Sequence, residues 1–261
     1  SANVAVVARK IANNFRASGS HDLAIGYLQT ALDVKTALLG ANHSDVGDLY
    51  FIIGDSLDEE KKYQDSITTF EKAMMIYSLS IPDSMKLGNT LFNLGLISNK
   101  VNSTTQAKEY YQKALVVTEK ALGADHAETS LTLKNLGDTC SRLGEWDKAH
   151  KLMERAFKIV EKKVGTTHPK ALAIQRLIDK TTKNKIWHTN KALQSRYDTC
   201  PPCHAGHAAT LDLPEVGTAC EVCRKPLGEL EDTDKVWRCV SCDFDLCTKC
   251  DVTFCKPLRK K

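Results

Sequence analysis

Apolar and small residues recur at helical spacing along the first 185 positions, and the whole pattern repeats every 41 to 42 residues. Ile11-Ala12, Ile53-Gly54, Leu94-Gly95 and Leu136-Gly137 mark the four copies. Twelve residues beyond each of these stands a small residue: Ala24, Ser66, Ala107 and Ala149. A bulky residue follows (Leu28, Phe70, Tyr111, Met153), then an alanine (Ala31, Ala73, Ala114, Ala156). A small-large-small seam lets two antiparallel helices approach closely, so each copy predicts a helix pair. The polar stretches at 18–22 and 143–147 read as the turns inside the first and fourth pairs.

Each copy ends in a second punctuation. Leu39-Gly40, Leu122-Gly123 and Val164-Gly165 are each followed three residues later by a histidine: His43, His126 and His168. Ser80-Ile81-Pro82-Asp83 is a degenerate version of the same signal. Glycine is favoured just past a helix end, and Pro169 suits the first turn of the next helix. The histidines recur because the turn recurs, and stacked turns are too far apart for them to share a metal ion. A fifth first-type helix, from about Lys170 to Arg196, closes the stack as a basic, polar cap. The expected fold is all-α: four helix pairs plus a capping helix over residues 1–196, then a small module at 197–261. Cys140 falls on the packed face of its helix and is expected to be a core residue.

This pattern resembles the tetratricopeptide repeat over roughly residues 1–180, and its period with the Leu-Gly-x-x-His turn resembles the kinesin light chain type. The resemblance implies a right-handed superhelix whose concave wall is lined by the first helix of every repeat, and a groove that takes an extended or helical peptide. Reading outward from each Leu-Gly gives Arg9, Lys10, Asn13 and Arg16 in repeat one. Repeat two gives Asp48, Phe51, Ile52, Asp55 and Asp58, and repeat three gives Asn89, Phe92, Asn93, Leu96 and Lys100. Lys134, Asn135, Asp138 and Arg142 follow in repeat four, and Arg176 and Lys180 in the last helix.

Asn93 and Asn135 match the asparagine that holds the peptide main chain in the kinesin light chain family; an amide can donate and accept at once. Lys10 and Ile52 break that ladder. The candidate peptide-binding residues are Arg9, Asn13, Asn89, Asn93, Lys134, Asn135, Arg142 and Arg176. The clamp by which chaperone co-factors hold a terminal carboxylate is not reproduced in register, so an internal segment is expected. Basic ends and an acidic second repeat point to a ligand of mixed charge with an apolar anchor near Phe51 and Phe92.

Cysteine usage changes abruptly after residue 199. One cysteine precedes that point and nine follow it, eight of them in four C-x2-C pairs: 200/203, 220/223, 239/242 and 247/250. Such pairs are set too close for ordinary disulfides and suit a tetrahedral ion, whose two thiolates sit at about 2.3 Å. A short segment poor in large apolar residues folds as it binds metal. Zinc in a reducing compartment is the expectation, with the chain cytoplasmic.

The core Cys220-x2-Cys223…Trp237-x-Cys239-x2-Cys242-Asp-Phe-Asp-Leu-Cys247-x2-Cys250 resembles ZZ-type and phorbol-ester-type cross-brace zinc fingers. The resemblance implies two zinc ions and assigns Cys220, Cys223, Cys247 and Cys250 to the first. Cys239 and Cys242 then need two further ligands. No histidine follows Cys250, so Cys203 and His207 are the expected pair, with Cys255, Cys200 and His204 as substitutes. ZZ fingers that read protein N-termini place acids beside these cysteines; Glu221, Asp243 and Asp245 occupy matching places and could hold an α-ammonium group or a basic tail.

Net charge is only +4 with a pI near 8.4, and the 65 C-terminal residues hold 11 acidic against 9 basic groups, so nucleic acid is not an expected partner. No apolar stretch reaches the ~20 residues of a membrane span, and Glu229, Glu231, Asp232 and Asp234 exclude an inserting loop. Ser1 in place of an initiator Met reads as a processed chain or a piece of a longer one. There is no Gly-rich phosphate loop and no Ser/His/Asp motif, and zinc with a full Cys/His set leaves no position for water. The expected function is a non-enzymatic adaptor that docks a partner peptide. The rival readings are a ZZ-type terminus reader and a RING-like accessory of the ubiquitin pathway.

Overall fold

The computed structural model describes residues 2–196 and three strands at 210–212, 236–239 and 244–247, with side chains described to residue 188. The helices alternate as the repeat predicts. The pairs are α1 (Ala2–Ala17) with α2 (His21–Leu39), α3 (Ser44–Glu59) with α4 (Tyr63–Ser80), α5 (Met85–Lys100) with α6 (Thr104–Leu122), and α7 (Ala127–Arg142) with α8 (Trp146–Val164). Among the described residues, α9 (Pro169–Arg196) follows as a ninth helix with no second helix to pair with. Each second helix packs on its own first helix and, through repeat three, on the first helix of the next pair.

The Leu-Gly position shows why the seam needs its residues. A Cβ at Gly54, Gly95 or Gly137 would stand 2.9 Å from the Phe70 ring, 2.7 Å from the Tyr111 ring and 2.7 Å from Met153 respectively. The bulky member of copies two, three and four thus lies against a bare helix backbone. Ser66, the small member in copy two, is buried and donates its hydroxyl to the Gly54 carbonyl at 2.6 Å. Cys140 is fully buried, and burial, with Glu145 nearby, pushes its thiol up to about 11.

The recurrent histidines are helix caps. Nδ1 of His43, His126 and His168 accepts the backbone N–H of Asp45, Glu128 and Lys170 at 3.1, 3.2 and 3.1 Å. In the degenerate copy Ser84 replaces histidine and accepts from the Leu87 N–H at 3.3 Å. The preceding Gly123 takes φ +93 while its N–H closes on the Glu119 carbonyl, a backbone turn that only glycine makes without strain. Among the described residues, no group of three or more His, Cys, Asp or Glu side chains converges as a metal site.

The chain divides into two compact units, Ser1–Lys183 and Asn184–Lys261. The division falls inside α9, not at the 196/197 boundary expected from the sequence. Ala171, Ile174, Ile178 and Thr181 form a buried stripe on the part of α9 that belongs to the first unit. In the second unit, β1 (Thr210–Asp212), β2 (Val236–Cys239) and β3 (Phe244–Cys247) form an antiparallel sheet in that order. Its register sets Leu211 opposite Trp237, Val236 opposite Cys247 and Cys239 opposite Phe244.

Candidate functional site

The free face of the first helices can be followed from repeat to repeat by taking equivalent positions. Three residues before the Leu-Gly glycine, the row runs Arg9, Phe51, Phe92, Lys134, Arg176. Two cations end it and two aromatics hold its middle. Arg9 and Arg176 are exposed, the other three half-buried. Phe51 lies edge-on to Phe70 at 5.3 Å between centroids, and Phe92 edge-on to Tyr111 at 5.6 Å. Each aromatic is thus held from beneath by the bulky seam residue of its own repeat, with part of its surface left open.

The next row carries Asn93 and Asn135, both half-buried, and among the described residues neither side-chain amide has a hydrogen-bond partner; Asn135 accepts from Thr139 Oγ1 only through its backbone carbonyl. Asn13 and Asn89 are exposed. Of the eight candidate binding residues, Arg142 is the one already engaged: its Nη1 donates to Asn99 Oδ1 at 2.9 Å. Asn99 also donates Nδ2 to Thr139 Oγ1 at 3.0 Å, so one amide joins repeats three and four. Reading outward from Leu-Gly passed over Asn99. Its place one turn beyond the glycine, facing the next repeat, is the signal that could have found it.

The acidic second repeat is neutralised in place. Asp48 accepts from Tyr77 Oη at 2.7 Å and pairs with Lys86 at 2.7 Å. Asp55 pairs with Arg16, and both oxygens of Asp58 take Lys100 at 2.7 Å. Burial and the Asp48 carboxylate both push the Tyr77 phenol far up, keeping it a donor. With these three carboxylates tied, the charges on the face that stand in no ion pair are Arg9, Lys10, Lys134, Arg176 and Lys180 against the one carboxylate of Asp138. The mixed charge expected from the sequence is therefore weighted to the cationic side, around an apolar centre. A cavity of about 320 Å³ opens at its first end between α1 and α3, lined by Val6, Arg9, Lys10 and Asn13 with Lys35, Asp45 and Leu49. There the hydrogen bond from Lys35 holds Asp45 below the usual carboxylate range.

Of the candidate zinc residues, Cys203, His207, Cys220, Cys223, Cys242 and Cys250 lie outside the described residues, as do Cys200, His204, Cys255, Glu221 and Asp243. Cys239, Asp245 and Cys247 are placed by backbone alone. Cys239 ends β2 at the closed end of the β2–β3 hairpin, while Cys247 lies at the open end beside Val236. At about 3.3 Å per residue, that register separates the two cysteines by roughly 10 Å along the strands.

A stack of helix pairs with a bare backbone at three of its four seams and a continuous face of first helices defines an α-solenoid. A tetratricopeptide repeat model matches residues 3–79 and 81–162, more than half of the sequence, and the chain belongs to the tetratricopeptide repeat family. A second model, the KKT2/KKT3 zinc finger domain, matches residues 199–256.

Among solved structures, a putative kinesin light chain from Podosopora anserina with nearly identical TPR-like repeats superposes with a TM-score of 0.60 at 14% identity, over 74% of this chain and 90% of that one. BtubC (BKLC) from P. vanneervenii gives 0.58 at 19% identity, over 75% of this chain and 82% of that one. Aspartyl phosphate phosphatase F from Bacillus subtilis gives 0.59 at 18%, over 75% and 50%. At these identities the likeness is one of fold. No curated protein matches significantly. No helix among the described residues is long and apolar enough to cross a membrane.

Proposed function

We propose that this protein is a non-enzymatic, cytoplasmic adaptor whose concave repeat face binds an internal segment of a partner protein. The row Arg9, Phe51, Phe92, Lys134, Arg176 carries the reading: an apolar anchor seats against the two phenylalanines, and carboxylates on either side meet the uncommitted cations. Asn93 and Asn135 hold the segment's main chain, since each has both a donor and an acceptor to offer. Asn13, Asn89 and Arg142 contribute at the edges.

The C-terminal module binds two zinc ions in a cross-brace. One takes Cys220, Cys223, Cys247 and Cys250; the other takes Cys239, Cys242, Cys203 and His207. The match to a zinc finger domain supports the metal. The separation of Cys239 from Cys247 along the hairpin supports two ions, because two thiolates at about 2.3 Å from one ion stand close together. The module caps the solenoid or contacts a second partner, and Glu221, Asp243 and Asp245 supply its acidic edge.

Peptides selected on the full chain from a random displayed library test the groove, with affinity then read by fluorescence anisotropy. The expected ligands carry one large apolar residue flanked by Asp or Glu. Asn93→Ala with Asn135→Ala lowers affinity at least tenfold, about 1.4 kcal/mol, without moving the melting midpoint. Unchanged affinity in that variant, or selection of basic ligands, overturns the reading.

A further inference from the structure

The row Arg9, Phe51, Phe92, Lys134, Arg176 offers a ligand one side chain per repeat, so the spacing of the repeats sets the spacing of the residues they can read. Neighbouring first helices touch directly. Lys86 and Lys100 of α5 reach Asp48 and Asp58 of α3, and Asn99 of α5 meets Thr139 of α7. Phe51 and Phe92 both pack on the cluster that holds Tyr77, Leu87 and Leu91. Helices in such contact stand about 8–10 Å apart, axis to axis. A segment running across them must present a side chain to the groove about every 9 Å.

Three regular conformations can be set against that interval. A strand advances about 3.3 Å per residue and turns alternate side chains to opposite faces, so its groove-facing residues fall at about 6.6 and 13 Å. Polyproline II rises about 3.1 Å per residue with three residues per turn, which returns a side chain to one face about every 9.3 Å. An α-helix repeats its face after seven residues, about 10.5 Å. Spacing leaves polyproline II and the helix, and the asparagine row separates them. Asn93 and Asn135 stand one repeat apart and half-buried, and among the described residues neither side-chain amide has a partner. A helix has its main-chain groups bonded internally, whereas polyproline II has no internal hydrogen bonds and leaves them free. With three residues per turn, the free groups also point the same way at each repeat, so two amides one repeat apart can hold the main chain alike.

Resting on the groove reading above, we infer that the bound segment lies in the polyproline II conformation and is read at every third residue. An apolar residue over Phe92 is followed, three and six places along, by carboxylates over Lys134 and Arg176. Phe51 and Arg9 continue the same register the other way. The two residues between successive contacts face away from the groove, so proline is accepted there.

The test is a set of dye-labelled synthetic peptides in a serine background, each with one leucine and two glutamates at a common interval of two, three, four or seven places. Both chain directions are made, and each is titrated into the full chain by fluorescence anisotropy. The interval of three is expected to bind at least fivefold tighter than the rest in one direction. Proline at both intervening places should hold or raise that affinity, because a pre-formed segment loses less freedom on binding. Lys134→Gln should narrow the preference for three, since the first carboxylate loses its partner. A preference for three that Lys134→Gln leaves untouched overturns the inference. Tightest binding at two or four, at seven with loss on adding proline, or equally at every interval also overturns it, while the groove reading is judged separately by Asn93→Ala with Asn135→Ala. Binding by none of the peptides overturns the groove reading and this inference with it.

Discussion

Gly26 and Gly95 both sit inside helices, yet the same change to alanine acts on them in opposite directions. At Gly26, within α2, an added methyl group meets nothing within 4 Å. Gly26→Ala therefore gains only the backbone term, about 0.5–1 kcal/mol in favour of the fold. At Gly95 the methyl carbon would stand 2.7, 2.8 and 2.9 Å from Cε1, Cδ1 and Cζ of Tyr111. That ring is 1% exposed and has no free space to enter. Overpacking of this kind costs about 1–3 kcal/mol, and the backbone gain offsets part of it, for a net loss of roughly 1–2 kcal/mol.

Tyr111 also supports Phe92, so the displaced ring disturbs the apolar centre of the groove. Urea unfolding followed by circular dichroism should move the two midpoints apart at unchanged slope. Peptide affinity should fall in Gly95→Ala and hold in Gly26→Ala. Equal stabilisation at both sites would refute the claim that the Leu-Gly position is set by the incoming ring.

Three other outcomes are expected. His126→Ala removes a cap and costs about 1 kcal/mol in urea unfolding, whereas His126→Asp keeps an acceptor for the Glu128 N–H and retains most of it. Glu145 is held below the usual carboxylate range chiefly by its hydrogen bond from Lys108. Its contribution is present above the unfolded carboxyl pKa and lost as pH falls through the lower folded value. The stability gap between parent and Lys108→Met, under about 1 kcal/mol for a pair this near the surface, should close between pH 6 and pH 3 in unfolding titrations. Elemental analysis should find two zinc ions per chain, one fewer in Cys239→Ser or Cys247→Ser, and none in the double variant. Retention of one ion in the double variant would place both cysteines on a single site.

The seam was legible because its demands are local. A backbone that must touch a ring needs glycine at one position, and Phe70, Tyr111 and Met153 announce themselves at fixed spacing from Gly54, Gly95 and Gly137. The recurrent histidines were legible as parts of a turn, but not as caps, since Nδ1 must meet an N–H two residues on. Charge pairing was not legible. Asp48, Asp55 and Asp58 find Lys86, Arg16 and Lys100 some 38 to 42 residues away, and which of them meet depends on the stagger of one repeat on the next. For the same reason the groove read as mixed in charge until its aspartates were seen to be occupied. In the zinc module the sequence carried the ligand types, while the separation of Cys239 from Cys247 needed the strand register.

The amide of Asn99 has a consequence for how the stack bends. Along the inner face the first two junctions are held by charge, Arg16 on Asp55, then Lys86 on Asp48 and Lys100 on Asp58. The third is held there by a neutral amide against Thr139 and Arg142. Dissolved ions screen the former strongly and the latter little. As salt rises, the inner edge therefore relaxes over repeats one to three and stays fastened between three and four. The groove is thus adjustable over its first three repeats and fixed between the third and the fourth.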